Sequence, residues 1–267
     1  MSTPFDESLE KVIAAIESAD YQKATVAARR CVELEPDNAE GLFYLGESLS
    51  GAEKPEEAIA AYEAGLKLAP ADTDALTSLG DLYFEQGLHK DALRTYERII
   101  KIDPKDADGY VNIGLVYNSM ERPEDAIKAY GEALKLDPEN VFAYNALGDA
   151  WYGLGNREKA IEAFNKGIAV DPEDAAAHFN LGELYYDLGE HDDAEKECLE
   201  SIRLDPEFTL AYLTLGSLHM DKEHLSDAVK YLKLYLKYEK SPQAQEMIDE
   251  VKAVIEGIKE EIEVKKR

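Results

Sequence analysis

The sequence predicts an all-α solenoid built from two-helix repeats, and three observations lead to this prediction. Proline recurs every 34 residues, glycine and alanine recur with the same period, and each period holds two stretches with helical spacing of apolar residues. A fixed period of this length is typical of stacked units that each share a core with their neighbours. The periodic residues are Pro36, Pro70, Pro104, Pro138, Pro172 and Pro206; Gly46, Gly80, Gly114, Gly148, Gly182 and Gly216; and Ala24, Ala58, Ala92, Ala126, Ala160, Ala194 and Ala228.

The period divides the chain into seven units between a short N-terminal tail and a C-terminal helix. Within residues 107–140, helical spacing runs through GYVNIGLVYNSM, breaks at ERPED and resumes through AIKAYGEALKL. Gly114 and Ala126 are small enough for the two helices to approach closely, and Pro138 ends the second helix because proline cannot continue one. The predicted division is 1–4 for the tail, 5–38, 39–72, 73–106, 107–140, 141–174, 175–208 and 209–242 for the units, and 241–267 for a capping helix.

One unit shows the residue pattern of the repeat most fully. At fixed offsets, residues 107–140 contain Tyr110, Ile113, Gly114, Tyr117, Ala126, Tyr130, Ala133 and Pro138. In this pattern the chain resembles the tetratricopeptide repeat family over about nine-tenths of its length. The resemblance implies a right-handed superhelical solenoid of seven helix-turn-helix repeats plus a C-terminal capping helix. It also implies a concave groove that holds extended or helical segments of partner proteins.

The first and last units depart from the pattern. The first has Lys11 and Val12 where the others have an apolar residue and glycine. The seventh has His219 at the aromatic position and Lys240 at the proline position. Terminal units face solvent on one side, which explains such departures.

The sixth unit departs as well, with His178 and Cys198 at positions that are otherwise mostly large and apolar or aromatic. We interpret this as relaxed packing. Cys31 and Cys198 lie in apolar helical patterns and are too few for a disulfide framework. We therefore expect both to be free, buried and without a redox role.

Acidic residues dominate the charge: 56 Asp and Glu stand against 29 Lys and Arg, which leaves a net charge of −27. Such a chain repels phosphate backbones and anionic lipids, so nucleic acid and membranes are disfavoured as partners, whereas neutral or basic proteins and peptides are favoured. No apolar run approaches the length of a membrane span, and the start MSTPFDESLEK lacks the features of a secretory signal. We expect the protein in the cytoplasm.

The sequence shows no arrangement of residues that predicts catalysis. It lacks a glycine-rich phosphate loop, and none of its carboxylates stands at catalytic spacing from a nucleophile or histidine. His219 and His224 are five residues apart, a poor spacing for one face of a helix. We therefore predict no enzyme, no catalytic residue, no cofactor and no metal site.

The first helices of units two to six form the candidate binding surface. They contain 11 acids and no Lys or Arg, in segments 39–53, 73–87, 107–121, 141–155 and 175–189. Two interpretations are open: these helices are simply neutral and tight while basic residues pair with acids on the second helices, or the acids bind a basic ligand. Glu47, Asp81, Asp149 and Glu183 share one repeat position, and their mutual repulsion slightly favours the second interpretation.

The predicted partner-binding residues lie on the stripe opposite the buried side of these helices. The stripe is acidic with interspersed aromatic residues. Asn112 and Asn180, and more loosely Asn145 and Asn118, resemble fragments of the asparagine ladder with which other family members hold a ligand backbone; a buried asparagine satisfied within the scaffold is the alternative. The predicted set is Phe43, Glu47, Thr77, Asp81, Phe84, Glu85, Asn112, Asn118, Phe142, Asn145, Asp149, Tyr152, Phe179, Asn180, Glu183, Tyr186 and Asp187.

Ser241 and Pro242 predict the start of a helix that apolar residues, at alternating steps of four and three, continue for three heptads. Its first half is expected to cap the last unit. This helix would be about 36 Å long against about 22 Å for a repeat helix. We therefore expect its far end, with Ile255, Ile258 and Ile262, to extend past the last unit and contact another copy or a partner. The alternative is that this end bends back or frays.

Together, these features predict a non-enzymatic interaction scaffold or adaptor whose acidic groove binds a basic, partly apolar segment of a partner protein. The main alternative is a self-assembling structural scaffold that binds other copies through the groove, the end units or the C-terminal helix. An enzyme or enzyme subunit ranks third.

Overall fold

The computed structural model describes residues 2–265, and within that range the chain consists of helices and connecting turns. The predicted all-α class is confirmed. Met1, Lys266 and Arg267, which the predicted tail and capping helix include, lie outside the described residues. None of the described helices is both long and apolar enough to cross a membrane. The helices are α1 Pro4–Glu17, α2 Tyr21–Leu34, α3 Ala39–Gly51, α4 Pro55–Leu68, α5 Thr73–Glu85, α6 His89–Ile102, α7 Ala107–Ser119, α8 Pro123–Leu136, α9 Val141–Gly153, α10 Arg157–Val170, α11 Ala175–Asp187, α12 His191–Leu204, α13 Thr209–Asp221, α14 Leu225–Tyr238, a 3₁₀ turn Pro242–Ala244, and α15 Gln245–Lys265.

Helices α3, α5, α7, α9 and α11 each begin at an asparagine or aspartate two residues after a periodic proline. The side chain of this residue accepts a hydrogen bond from a backbone N–H of the first turn, which a helix start otherwise leaves unpaired. The prolines lie in the turns that precede these caps, so they separate one helix pair from the next. The capping residues are Asn38, Asp72, Asp106, Asn140 and Asp174.

A residue with positive φ stands in the turn inside every helix pair. These residues recur every 34 positions with φ between 54° and 73°, so the turn has one left-handed geometry throughout. Glycine adopts this geometry freely, whereas alanine or glutamate does so at a cost of about 1 kcal/mol. The residues are Ala19, Glu53, Gly87, Glu121, Gly155, Gly189 and Glu223.

The periodic glycines bring the two helices of each pair together. A β-carbon at Gly114 would lie 2.4 Å from the ring of Tyr130, and one at Gly148 would lie 2.4 Å from the ring of Phe164. The close approach predicted at Gly114 is therefore confirmed. The same contact, always 16 residues apart, joins Gly46 to Tyr62, Gly80 to Tyr96, Gly182 to Cys198 and Gly216 to Leu232.

In the sixth pair the backbones of the two helices lie close together. A β-carbon at Gly182 would lie 3.1 Å from the backbone nitrogen of Cys198. His178 is buried, and its Nδ1 lies 2.7 Å from Oε2 of Glu197. The prediction of relaxed packing is wrong, because the small cysteine admits a close approach and the glutamate satisfies the histidine. Both cysteines are free and buried, as expected, and burial raises the pKa of each thiol, to about 12 for Cys198.

The chain divides into two compact units, Met1–Pro138 and Glu139–Arg267. From here on, first unit and second unit mean these two parts of the chain, and each 34-residue repeat is called a helix pair. In the first unit α3 contacts α1 and α5, and in the second α11 contacts α9 and α13. Helices α1, α3 and α5 of the first unit, and α9, α11 and α13 of the second, therefore lie side by side, and the even-numbered helices pack against them. We use the term inner face for the side of α3, α5 and α7, or of α9, α11 and α13, that points away from the even-numbered helices.

The C-terminal helix α15 packs on α14. Ile255 and Ile258 are buried and, together with the half-buried Ile262, join an apolar cluster that contains Leu232 of α14. The predicted overhang is therefore wrong, and these isoleucines contact their own chain. Both ends of α15 are mostly exposed, over residues 245–250 and 263–265, although the half-buried Ile248 also packs against this cluster.

Candidate partner-binding surface

Two adjoining cavities occupy the inner face of the first unit along α3 and α5. Their volumes are about 560 and 330 Å³, and Glu47, Tyr62 and Ser78 line both. We refer to the two cavities together as the first-unit groove. No Lys or Arg is among the described residues that line it. The acids that line it are Glu40, Glu47, Asp72, Asp74, Asp81 and Glu85.

Glu47 and Asp81 stand one repeat apart in this groove. Burial raises the pKa of Glu47, because a low-dielectric surrounding disfavours the charged carboxylate. Asp81 accepts a hydrogen bond of 2.5 Å from the hydroxyl of Tyr96 on α6. The ring of Tyr96 packs against Gly80, so the contact that joins the helix pair also orients the Asp81 carboxylate.

Phe43 and Phe84 add apolar surface to the acidic groove helices. The ring of Phe43 stacks on Tyr62, with the ring centroids 6.3 Å apart, and lines the larger cavity. Phe84 is half-buried, and its ring centroid lies 5.8 Å from that of His89. The inner face of the first unit therefore presents aromatic edges beside carboxylates.

In the second unit, Asp149 on α9 and Glu183 on α11 stand at the same repeat position. Loss of solvation and then the charge of Glu183 raise the pKa of Asp149 to about 6, although part of the Asp149 side chain remains exposed. Burial and then the charge of Asp187 raise the pKa of Glu183. Loss of solvation, followed by the charge of a neighbouring carboxylate, therefore disfavours the ionised form of both groups.

Two tyrosines link successive odd-numbered helices of the second unit. The hydroxyl of Tyr152 donates to Asp187, and the hydroxyl of Tyr186 donates to Asp221 at 2.8 Å. Each acceptor stands 35 residues after its tyrosine, so the contact from α9 to α11 repeats from α11 to α13. The sequence reasoning missed Asp221, and its one available signal was the 34-residue spacing from Asp187.

The acids of the inner helices have no cationic partner among residues 2–265. The ion pairs in that range involve the even-numbered helices, α15 and the caps, and none includes an acid of α3, α5, α7, α9 or α11. Basic residues thus pair with part of the outer acids, whereas the acids of these inner helices have no ion pair among the described residues.

Two predicted binding residues are not presented to a partner. Phe179 is only 6% exposed, and its ring centroid lies 5.1 Å from that of Phe208. The Asn145 amide donates a 3.0 Å hydrogen bond to Asp174. Its Oδ1 is buried beside Gly167, where a β-carbon would lie 3.4 Å from it. Their predicted place on an open stripe is wrong, because neighbouring segments cover an edge that looks free on an isolated helix.

The predicted binding residues as a whole divide between the two units. Phe142, with 56% of its surface exposed, is the most open aromatic residue of the set, and Tyr152 is also exposed. Thr77 is half-buried and donates to the backbone of its own helix. The first unit contains Phe43, Glu47, Thr77, Asp81, Phe84, Glu85, Asn112 and Asn118, and the second contains Phe142, Asn145, Asp149, Tyr152, Phe179, Asn180, Glu183, Tyr186 and Asp187.

Tyr62 and Ser78 are groove residues that the sequence reasoning did not select. Tyr62 belongs to α4, but its ring passes Gly46 and reaches both cavities. The periodic glycine is the signal that could have found it, because an aromatic residue 16 positions later must reach across α3.

Comparison with known families identifies the repeats. Profiles of the tetratricopeptide repeat match residues 46–107, 107–140 and 175–208, and a profile of the TPR repeat matches residues 148–189. Together the matches span more than half of the chain. The chain therefore belongs to the tetratricopeptide repeat family, as its residue pattern predicts.

Solved structures share the fold. A tetratricopeptide repeat protein from Parabacteroides merdae ATCC 43184 has a TM-score of 0.75 and 20% identity, over 94% of this chain and 98% of that one. A MamA protein has a TM-score of 0.60 and 26% identity, over 66% and 96%. YrrB, described as a TPR protein with an unusual peptide-binding site, has a TM-score of 0.54 and 23% identity, over 73% and 98%. No curated protein matches the sequence.

Proposed function

We propose that the protein is a non-enzymatic interaction scaffold or adaptor and that its first-unit groove binds a basic, partly apolar segment of a partner protein. One observation carries the proposal: acids and aromatic rings line two adjoining cavities, and no Lys or Arg is among the described residues of their walls. Carboxylates confined in a partly desolvated groove repel each other, and a cationic side chain relieves that repulsion.

The size of the groove supports a peptide segment as the ligand. Cavity volumes of about 560 and 330 Å³ lie within the range of roughly 300–1,000 Å³ that is usual for binding clefts. The stacked rings of Phe43 and Tyr62 give an apolar wall, and Glu47 lies beside them in the same cavity. A Lys or Arg flanked by apolar residues matches this arrangement. The peptide-binding site named for YrrB, a similar solved structure, supports the same class of ligand.

The inner face of the second unit supports a second site of the same chemistry. Phe142 and Tyr152 are exposed there, and the pKa values of Asp149 and Glu183 are raised. A bound cation would lower the pKa of Asp149 from about 6, so binding would release protons below that pH. We therefore expect affinity at this site to rise between about pH 5 and pH 7. A flat or falling profile for peptide binding would argue against it.

Fluorescence anisotropy with a labelled peptide that alternates Lys and Arg with Leu and Phe tests the first-unit groove. The double variant Glu47→Gln with Asp81→Asn should weaken binding to the full chain about tenfold or more and reduce its salt dependence. The control combines Glu56→Gln with Glu124→Gln, which removes the same charge from exposed sites on α4 and α8 and should change binding less than about twofold. Equal effects of the two variants would refute the assignment.

Self-association and a cytoplasmic location stay predictions. Ile255 and Ile258 pack within their own chain, so we expect other copies to bind through the groove, the end pairs or the exposed side of α15 and not through these isoleucines. Light scattering of the purified chain distinguishes the two function classes, because the adaptor proposal expects a monomer over the concentrations at which the peptide binds.

A further inference from the structure

Two histidines of the last helix pair lie close together although five residues separate them in the sequence. His219 is in the last turn of α13, His224 caps the start of α14, and Asp227 is in the first turn of α14. The turn between the helices folds back, so one ligand atom from each of these side chains lies within 4.8 Å of the others. The predicted absence of a metal site holds for a single helical face, whereas these residues belong to two helices and their turn.

His219 is buried, and its ring nitrogens are unpaired within residues 2–265. The side chain is 6% exposed, and neither Nδ1 nor Nε2 has a hydrogen-bond partner in that range. Oε1 of Glu195 is 3.6 Å from Nε2, which is too long for a hydrogen bond. The ring stacks on Tyr231 with the centroids 5.2 Å apart, which holds its plane. A buried polar group without a partner is unfavourable, so this imidazole has an unmet need for a ligand.

This polar contact is particular to the end of the chain. The position of His219 is tyrosine or tryptophan in the third to sixth pairs, and the position of Glu195 is isoleucine or leucine in the second to fifth pairs. One repeat earlier the two positions are occupied by Tyr185 and Ile161, which join one apolar cluster. At the end of the chain, the carboxylate of Glu195 and the imidazole of His219 thus stand where the preceding repeat has an apolar contact.

The surroundings favour a cation. Lys222 is paired with Asp192 at 2.8 Å and with Glu195 at 3.0 Å, so two carboxylates more than balance its charge. His219 lies at the carboxyl end of α13, where the helix dipole stabilises positive charge. His224 makes no side-chain capping bond to α14, so its imidazole is free to bind a ligand.

We propose that His219, His224 and Asp227 form a binding site for a divalent transition-metal ion, of which Zn²⁺ suits the donor set best. Two imidazole nitrogens and one carboxylate oxygen are ligands that zinc accepts, whereas Mg²⁺ and Ca²⁺ take oxygen ligands. A shift of about 0.4 Å would bring Oε1 of Glu195 within hydrogen-bond distance of Nε2 of His219, where it would orient the imidazole as a second-layer carboxylate does in known zinc sites and leave Nδ1 for the ion.

The three ligand atoms have to move only a short distance to reach the spacing that zinc requires. Bonds to zinc of about 2.0–2.2 Å place tetrahedral ligand atoms roughly 3.3 Å apart. The atoms are within 4.8 Å of each other, so a closure of about 1.5 Å suffices, and His224 and Asp227 are exposed and free to rotate. The ion joins α13 to α14 across their turn.

Isothermal titration calorimetry of the untagged, chelator-treated full chain with ZnCl₂ tests this site. Excess Mg²⁺ occupies the many surface carboxylates, which zinc would otherwise titrate. One Zn²⁺ per chain is expected, and His224→Ala should weaken its binding at least about tenfold. The control His191→Ala removes a histidine from the start of α12, which belongs to no such cluster among the described residues, and should leave the affinity unchanged.

Asp227→Asn and an NMR readout separate a metal site from mere packing. The amide preserves the shape of the aspartate but is a poor metal ligand, so Asp227→Asn should weaken zinc binding while the fold is retained. The imidazole resonances of His219 should shift when one equivalent of Zn²⁺ is added to the wild type. Equal zinc affinity in the wild type and His224→Ala, or unmoved His219 resonances, would overturn the proposal.

Discussion

Gly148 provides a sharp test of how the helix pairs pack. A β-carbon at this position would lie 2.4 Å from Cε1 of Phe164. Because non-bonded carbons pack at about 3.5–4.0 Å, the ring would have to retreat by more than about 1 Å. Phe164 is 2% exposed in a cluster with Leu181 and Leu184, so it has little room. Overpacking of this kind costs about 1–3 kcal/mol.

The matched control lies on the same helix. A β-carbon at Gly153 meets no atom within 4 Å, so Gly153→Ala should raise stability by up to about 1 kcal/mol through helix propensity alone. Gly148→Ala gains the same helix propensity, but the clash with Phe164 destabilises the fold by more. We therefore expect a net loss of stability of roughly 0.5–2 kcal/mol. Gly148→Leu should lose more still.

Urea unfolding followed by circular dichroism measures the three variants. The predicted order of stability is Gly153→Ala, wild type, Gly148→Ala and Gly148→Leu. A Gly148→Leu variant as stable as the wild type, or two alanine variants that shift together, would refute the packing of α9 on α10 described above.

Other positions test the turns, the acidic inner face and the C-terminal helix. Glu121→Gly should stabilise the chain by about 0.5–1 kcal/mol in urea unfolding and Gly87→Ala should destabilise it by a similar amount, because both turns are left-handed; changes of the same sign would contradict this. Asp149 has its pKa raised from 3.8 to about 6, so its protonated form favours folding at low pH and this contribution is lost as the pH rises through about 6. Asp149→Asn should therefore raise stability at about pH 7 by at most about 1 kcal/mol, since the group is exposed, and leave it unchanged near pH 4; the reverse pH dependence would exclude this cause. Ile258→Ala should cost about 2–4 kcal/mol in thermal unfolding without altering the mass in solution, and a neutral substitution would show that α15 does not cap α14.

The repeat period predicts the helix pairs because it records packing constraints directly. Gly114 and Ala126 have to be small where two helices cross, and the periodic prolines have to stand where a helix ends. Each constraint acts within about one repeat, so its position in the sequence corresponds to its position in the fold. The acidic character of the groove is predictable for the same reason, since it depends on helix faces alone.

Contacts between different helices are not predictable from one helical face. Phe179 and Asn145 lie on the expected stripe of their own helices, yet neighbouring segments cover them. His219 and His224 are apart on any single helix, yet a turn brings them together. The periodicity fixes how a helix is rotated about its axis, but it does not say which of its edges the next pair buries.

Carbodiimide cross-linking tests the central claim most directly, which is that the acidic inner face binds a basic segment. The reagent joins a lysine amine to a carboxylate only where the two are in contact, and peptide mass spectrometry identifies the carboxylate. With a peptide rich in Lys and apolar residues, the account predicts cross-links at Glu47, Asp74 and Asp81 of the first-unit groove, which disappear at high salt. Cross-links confined to exposed acids of the even-numbered helices, such as Glu56 and Glu124, would contradict it.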